Sequence, residues 1–438
     1  MFKTVFPLSS VIAIRFLGLF IVMPTLSVYA LGLEGATPFL AGLAISIYAL
    51  TQMILQTPFG SLSDKIGRKQ TIAFGILVFI IGSLIAAFAD SVYTLIIGRA
   101  LQGAGAIGAV VTAMISDLIH EERRTKAMAI MGGTISISFS VALVTGPIIA
   151  GSSGTDTLFV IASLLAFISL IILFLAVPNI PKITYGHIES EGAFASSIKN
   201  ADLRIMFFTG FFQKLLLSTA FVIIPYLAIH HFGFTMDSLY TIYIPATLIG
   251  ILAMGAGAVF AEKKGRFKEV LSAGAILLML AFLGFDMYSD TLFFIAVMSF
   301  FAGFSMHEPI MQSLASKYPK NSQKGAVLGV FNSFSYFGTF LGGIVGGLMI
   351  EASLPYFGFF ILAFACLVWI GLIYMLELPK KYKTIYLKTP NIKLESDDIN
   401  LIEGIREHYS NPSENITVFI FDEGVISEVE LERRLLKI

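Results

Sequence analysis

The sequence predicts an all-α membrane protein of two six-helix bundles in pseudo-twofold arrangement, followed by a small α+β domain. Three observations predict it. Apolar runs of roughly 20 residues recur about twelve times, each long enough to cross ~30 Å of hydrocarbon as a helix. A basic, glycine-punctuated hairpin, Gly60-Ser-Leu-Ser-Asp64-Lys-Ile-Gly67-Arg68-Lys69, returns in weaker form as Ala258-Val-Phe-Ala-Glu262-Lys-Lys-Gly265-Arg266, with acid following acid at an offset of 198. After Leu378-Pro379 the composition turns polar.

Bulk composition supports the membrane class. Of 438 residues, 56% are hydrophobic and 13% charged, where soluble domains carry about 25% charged. So apolar a chain lacks the polar surface to cover itself in water. The expected spans lie near 7–31, 38–59, 70–89, 92–117, 126–150 and 157–177, then 203–229, 238–260, 269–286, 291–315, 325–349 and 355–377.

The first span contains Arg15 and Pro24; the second and third flank the basic hairpin; the fourth carries Arg99 and ends at Asp117. The fifth ends in Ala142-x-x-x-Gly146-Pro147-x-x-Ala150-Gly151. The eleventh reads Gly338-x-x-x-Gly342-Gly343-x-x-Gly346-Gly347, an offset of 196 from Ala142 to Gly338. Pro24 and Pro225 stand 201 apart. Three anchors at nearly one offset argue for duplication of a six-helix unit. The expected domains are 1–177, a polar connector 178–201 with a short surface helix near 192–200, a second bundle 202–380, and a tail 381–438.

Net charge is zero, but its distribution is one-sided. Loops counted alternately from a cytoplasmic N-terminus place Lys65, Arg68, Lys69, Arg123, Arg124 and every later loop cation up to Lys324 on one side. The other side holds Glu34, Asp90, Asp156, Asp237, Asp290 and Glu351 without a Lys or Arg. The positive-inside rule then puts both termini in the cytoplasm. Cys366 is the single cysteine, so no disulfide within the chain forms, and it reads as packing.

Several chemistries are disfavoured. There is no G-x-x-x-x-G-K-[ST] phosphate loop, so hydrolysis of ATP by this chain is not expected. His230-His231 lacks metal-helix spacing. No catalytic residue, cofactor, metal or nucleic-acid partner is expected.

The informative residues are ionisable groups inside spans, which cost about 2.5–3.5 kcal/mol each on insertion scales and so tend to face a cavity or a partner. Arg15 and Arg99 lie close enough to a membrane face that snorkelling competes with a functional role. Lys214 and Glu308 lie deeper and meet if spans seven and ten face one cavity. Glu308 is the only carboxylate well inside a span, hence the default proton carrier; its competing role is a static brace. His307 beside it is either a relay or a packing residue.

Asp64, Arg68 and Asp117 end spans two, three and four on one face, and together form a candidate latch between halves with Gly60, Gly67 and Lys69. The competing reading is a basic loop that only sets topology. In the tail, alternation at Ile385-Tyr-Leu-Lys and Val418-Phe-Ile-Phe suggests strands, and 396–409 and 427–437 read as helices, giving β-α-β-α. At about 55 residues this module is marginal alone, so docking or self-association is expected.

At these residues the chain resembles the major facilitator superfamily. The first hairpin fits its loop signature G-x-x-x-D-[RK]-x-G-R-[RK]. Leu95-Ile-Ile-Gly98-Arg99-Ala-Leu-Gln102-Gly103-Ala-Gly105 resembles its span-four signature, and span five its antiporter signature ending in Gly146-Pro147, with Ala142 and Ala150 in place of glycine. Leu17-Gly18-Leu-Phe-Ile-Val-Met-Pro24 is similar to the twelve-helix drug–proton antiporter branch. Arg15-Phe-Leu-Gly-Leu-Phe, Ser116-Asp117-Leu and the tail resemble a tail-bearing group within it. The resemblance implies a major facilitator fold and alternating access by rocking of two halves. It further implies Asp64 facing the start of span eleven, Arg68 paired with Asp117, Arg99 in proton-linked switching, Arg15, Gln102, Gly146 and Pro147 at cavity or hinge, and a ferredoxin-like or truncated tail.

The expected function is proton-coupled efflux of a small, amphipathic compound across a bacterial cytoplasmic (inner) membrane. A symporter or facilitator importing a metabolite, or a transporter-like sensor, are the alternatives. Substrate, proton and bilayer are the expected partners, and the tail's partner is a small ligand, a protein or a second copy. Impermeant labelling of single cysteines should reach 120–126 and 262–268 from the same membrane face; opposite faces would overturn the topology.

Overall fold

The computed structural model describes residues 2–178, 198–287, 289–319, 323–353, 356–379, 382–392, 399, 402–411 and 415–436. They fall into two compact units, Met1–Ile119 with Arg124–Leu376, and His120–Arg123 with Glu377–Ile438.

The N-terminal half of the larger unit comprises α1 (Phe2–Phe20), α2 (Leu26–Leu31), α3 (Pro38–Ile66), α4 (Arg68–Ala87), α5 (Val92–Ala104), α6 (Gly108–Leu118), α7 (Glu121–Ser153) and α8 (Thr155–Ala176). The C-terminal half comprises α9 (Ala201–His230), α10 (Tyr240–Ala258), α11 (Phe267–Phe285), α12 (Asp290–Ala315), α13 (Lys324–Glu351) and α14 (Tyr356–Met375). Eleven helical stretches are long and apolar enough to cross a membrane, α5 and α6 counting as one; Val5–Phe20 is a shorter apolar helix. Helix starts follow ordinary capping chemistry. Thr37 Oγ1 accepts from Leu40 N at 3.2 Å, Ser91 Oγ from Thr94 N at 3.3 Å, and Asn200 Oδ1 from Leu203 N at 2.9 Å.

Two expected spans are broken. The first is interrupted at Ile21–Thr25, where Met23 N and Thr25 N reach back only three residues, to Phe20 O and Val22 O. Pro24 has no N–H to give, which is enough to end a helix. Pro225, its expected counterpart, does not break α9. The fourth span breaks between α5 and α6, where Ala106 N turns to Ala104 O and Ile107 N to Gly105 O.

The basic hairpin is tighter than the expected span bounds, 38–59 and 70–89, suggest. Helix α3 runs on to Ile66 and α4 starts at Arg68, leaving Gly67 alone as the reversal at φ 103°. Only glycine takes that conformation cheaply. Its repeat partner Gly265 is also left-handed, at φ 71°, after a π-turn over Val259–Lys263.

The halves meet at the end carrying the acidic loops. A Cβ on Gly42 of α3 would run into the carbonyl of Gly343 on α13, one on Gly343 into the Ser46 side chain, and one on Gly347 into the carbonyl of Pro38. Gly151, ending α7, lies equally tight against Asp237. Toward the basic loops the glycines are not packed in this way: beside Gly60, Gly132, Gly133, Gly325 and Gly329 nothing beyond their own chain neighbours and helix backbone comes within 4 Å of a Cβ position. The tight glycine contacts between the halves lie at the acidic end.

The smaller unit is a three-stranded antiparallel sheet, β1 (Lys383–Lys388), β2 (Ile405–Asn411) and β3 (Ile416–Phe421), in the order β1-β3-β2, with a bulge between Ile405 and Glu407. Helix α15 (Glu428–Leu436) adds Leu431 and Leu435 to a core of Ile385, Ile399, Phe419, Phe421 and Ile426. Expected strands near 385 and 418 and the helix over 427–437 appear. The helix expected over 396–409 is not formed at its end, where Ile405–Asn411 pairs along β3 instead, entered through Gly404 at φ 101°; most of 396–401 lies outside the described residues. The connector helix expected at 192–200 falls almost wholly outside the described residues.

Replacing Gly42 by valine should prise the acidic end apart. A cysteine placed at buried Ser46 should then react with a membrane-impermeant maleimide severalfold faster than beside Gly42. An unchanged rate would mean this contact is not what seals that end.

Candidate functional site

A cavity of about 290 Å³ lies between the halves. Its wall carries six phenylalanines, Phe16 and Phe20 from α1, Phe139 from α7, Phe301 and Phe304 from α12, and Phe331 from α13. Phe139 joins the two sides, edge-on to Phe20 at 5.1 Å and tilted against Phe304 at 6.3 Å between ring centroids. Tyr48 and Tyr336 add hydroxyls, and Tyr336 accepts from Gln52 Nε2 at 2.7 Å, a hydrogen bond from α3 across to α13.

Lys214 of α9 and Glu308 of α12 meet on this wall, as their depth in the sequence suggested. Lys214 Nζ lies 3.0 and 2.9 Å from the two carboxylate oxygens of Glu308. Gln213 Nε2 donates to Glu308 Oε2 at 3.3 Å, and the Phe304 ring lies 4.9 Å from the ammonium. The side chains remain 22% and 40% exposed, facing the void. The pair is thus hydrogen-bonded at both carboxylate oxygens and partly open to the void.

His307 takes no part. One residue further along a helix turns about 100°, which carries it away from the cavity: Nε2 bonds Leu271 O at 2.8 Å and the ring sits edge-on to Trp369 at 5.1 Å. It packs α12 onto α11 and α14 rather than relaying to Glu308.

Arg15 and Arg99 do not snorkel; both are 0% exposed. Nor do Arg15 and Gln102 line the cavity: they lie behind its wall. Arg99 donates to Ala44 O and Ile45 O, each at 3.2 Å, and to Gln102 Oε1 at 2.6 Å, with the Tyr48 ring 4.8 Å from its guanidinium. Gln102 Nε2 continues to Ser83 Oγ at 2.8 Å. Arg15 Nη2 donates to Gln102 O at 3.2 Å, between the rings of Phe16 and Phe79. That carbonyl is available because the α5–α6 break diverts Ala106 N, its helical partner, to Ala104 O. Gly146, just before Pro147 in α7, presses on Ile21 O at the break in the first span, where a Cβ would collide.

The hairpin cluster forms inside one half. Arg68 Nε lies 3.0 Å from Asp117 Oδ2, and Nη1 lies 2.6 Å from Asp64 Oδ1 and 2.5 Å from Ser63 Oγ. It ties the basic ends of α3, α4 and α6, so in this conformation it braces the N-terminal half rather than bridging the two. Gly67 supplies the turn. Lys69 instead caps α8, donating to Val177 O at 2.8 Å, and Gly60 faces open space. The second half repeats the arrangement with charges exchanged: Glu262 near its hairpin takes Lys317, past the end of α12, at 2.7 Å, and Ser313 at 2.5 Å.

Sequence reasoning did not single out Gln52, Gln213, Tyr48 or Tyr336. The signal was present, since amides within apolar runs need partners.

Two six-helix halves around a charged, aromatic cavity define a multi-pass membrane transporter. The chain belongs to the Major Facilitator Superfamily, whose family profile matches residues 8–268 and 206–412. It is 33% identical over 438 residues to the inner membrane transport protein YajR of Escherichia coli K12, covering 98% of this chain and 96% of that one. It is 27% identical over 386 residues to multidrug resistance protein 2 of Bacillus subtilis, covering 84% and 94%. Among solved structures, the human organic anion transporter MFSD10 shares the fold with a TM-score of 0.64 at 18% identity, covering 85% and 99%.

Gln102→Ala should lower unfolding stability by about 2 kcal/mol or more, because a buried charge loses its hydrogen-bond acceptor. Gln102→Glu, which keeps an acceptor, should be clearly milder. Reversible unfolding in mixed micelles measures both, and equal losses would remove the assigned hub role.

Proposed function

We propose that this chain is a secondary active transporter exporting a small amphipathic compound from the cytoplasm in exchange for protons. The observation that carries the reading is the Lys214–Glu308 pair on the wall of a cavity between halves that meet closely at the acidic end. In this reading the basic end is the open one; the one-sided loop charges make it cytoplasmic, and the relative named as an inner membrane transport protein supports the same membrane. The relative named for multidrug resistance supports export and an amphipathic substrate, as do the aromatic walls.

The substrate enters the inward-open cavity between Phe139 and Phe304. Closure of the basic end and parting of the Gly42–Gly343–Gly347 seam then expose it to the other side. Arg68, with Asp64 and Asp117, keeps the ends of α3, α4 and α6 moving as one body. Asp64, 63% exposed, is placed to meet the start of α13 when the basic end closes. Arg99 and Arg15 hold α1, α3 and α5 together through the rocking. Glu308 is the proton carrier: protonation breaks its pairing with Lys214 and changes which conformation is favoured, as any differential interaction must.

In proteoliposomes with the basic side inward, substrate leaving the lumen should acidify it, and Glu308→Gln should cut proton-driven flux at least tenfold. Full activity of that variant, or flux with no change in luminal pH, would overturn the coupling.

A further inference from the structure

We propose that the ligand of the cavity is a zwitterion with a bulky, apolar body, its anionic end held by Lys214 and its cationic end by Glu308. This rests on the cavity being the substrate site. Among the described residues that line it, Lys214 and Glu308 are the charged ones, one of each sign. They are already joined at 2.9 and 3.0 Å, and both are open to the void.

That arrangement ranks ligands by charge. A monocation that pairs with Glu308 must draw it from Lys214 and leave an ammonium unpaired against Phe304. A monoanion on Lys214 leaves the carboxylate with only Gln213. Removing one partner from a poorly solvated ion pair is the costly way to break it. A zwitterion avoids this, because one pair is exchanged for two and the local charge stays zero. A neutral ligand leaves the pair untouched and gains nothing from it.

The rest of the wall fits the body of such a molecule. The charges come from α9 and α12 of one half, while Phe16, Phe20 and Phe139 come from the other. A ligand anchored by its charges on the C-terminal half therefore lays its apolar body against the N-terminal half. The volume of about 290 Å³ lies at the small end of ligand pockets and accommodates an indole-sized group with a short charged arm. Coupling follows as well. A protonated Glu308 has no charge to offer an ammonium, so proton and ligand exclude each other, as exchange requires.

Four indoles of one skeleton test this on the purified full-length protein in lipid nanodiscs: tryptophan (zwitterion), tryptamine (cation), indole-3-propionate (anion) and 3-ethylindole (neutral). Equilibrium dialysis should show tryptophan binding at least tenfold more tightly than the other three. Glu308→Gln should turn the preference to indole-3-propionate, and Lys214→Gln to tryptamine. If the single variants do not fold, the Lys214→Glu, Glu308→Lys double variant keeps the pair and should keep the tryptophan preference. Charge-blind binding, tightest binding of 3-ethylindole, loss of preference in the folded double variant, or no binding of tryptophan would each overturn the assignment. The tryptophan preference without proton-linked flux would leave it standing and remove the exchange mechanism; proton-linked flux with charge-blind binding would do the reverse.

Discussion

The N-terminal half is arranged around two guanidinium groups shut away from water: Arg99 is met by protein oxygen, while Arg15 has one such bond, through Nη2, and otherwise aromatic rings, its Nε and Nη1 having no hydrogen-bond partner among the described residues. Among the described contacts of Arg15 and Arg99 there is no carboxylate. Their partners are the carbonyls of Ala44, Ile45 and Gln102, the Gln102 amide and aromatic faces. Arg99 shares the carbonyls of Ala44 and Ile45 with the intact helix α3, through their second lone pairs, whereas the break over Gly105–Ile107 leaves the Gln102 carbonyl to Arg15. The outcome is one polar hub tying α1, α3 and α5. A half held together in this way can move as a body.

The two halves share a plan and diverge in what they do with charge. Gly67 and Gly265 both reverse the chain in the left-handed region. Beside them an ion pair joins hairpin to span end, basic to acidic in the first half (Arg68 with Asp117) and acidic to basic in the second (Glu262 with Lys317). The first half hides its cations behind the cavity wall. The second brings its opposite charges to the surface of the void.

Much of this was legible in the sequence because charges in apolar runs are conspicuous. Lys214, Glu308, Arg99 and Arg15 stood out on insertion cost alone, and Asp64, Arg68 and Asp117 on their shared face. What could not be read was rotational phase and local hydrogen bonding. His307 and Glu308 are neighbours in sequence and point to different surroundings, which nothing short of helix packing decides. The break after Ala104 has no proline to announce it, whereas Pro24 marks a break and Pro225 does not. In the tail, Ile405–Asn411 fits helical and strand spacing alike, and pairing with β3 decided the matter.

The contact at the acidic end is made largely of backbone. Gly42, Gly343 and Gly347 bring no side chain to the seam, and Ser46 and Asp237 bring short ones, so closing it freezes few rotamers. An interface of interlocked leucines would gain apolar packing on closing and would lock one conformation. A seam of this kind depends on close approach of the main chains, so one methyl group added at Gly42, Gly343 or Gly347 is enough to spoil its fit.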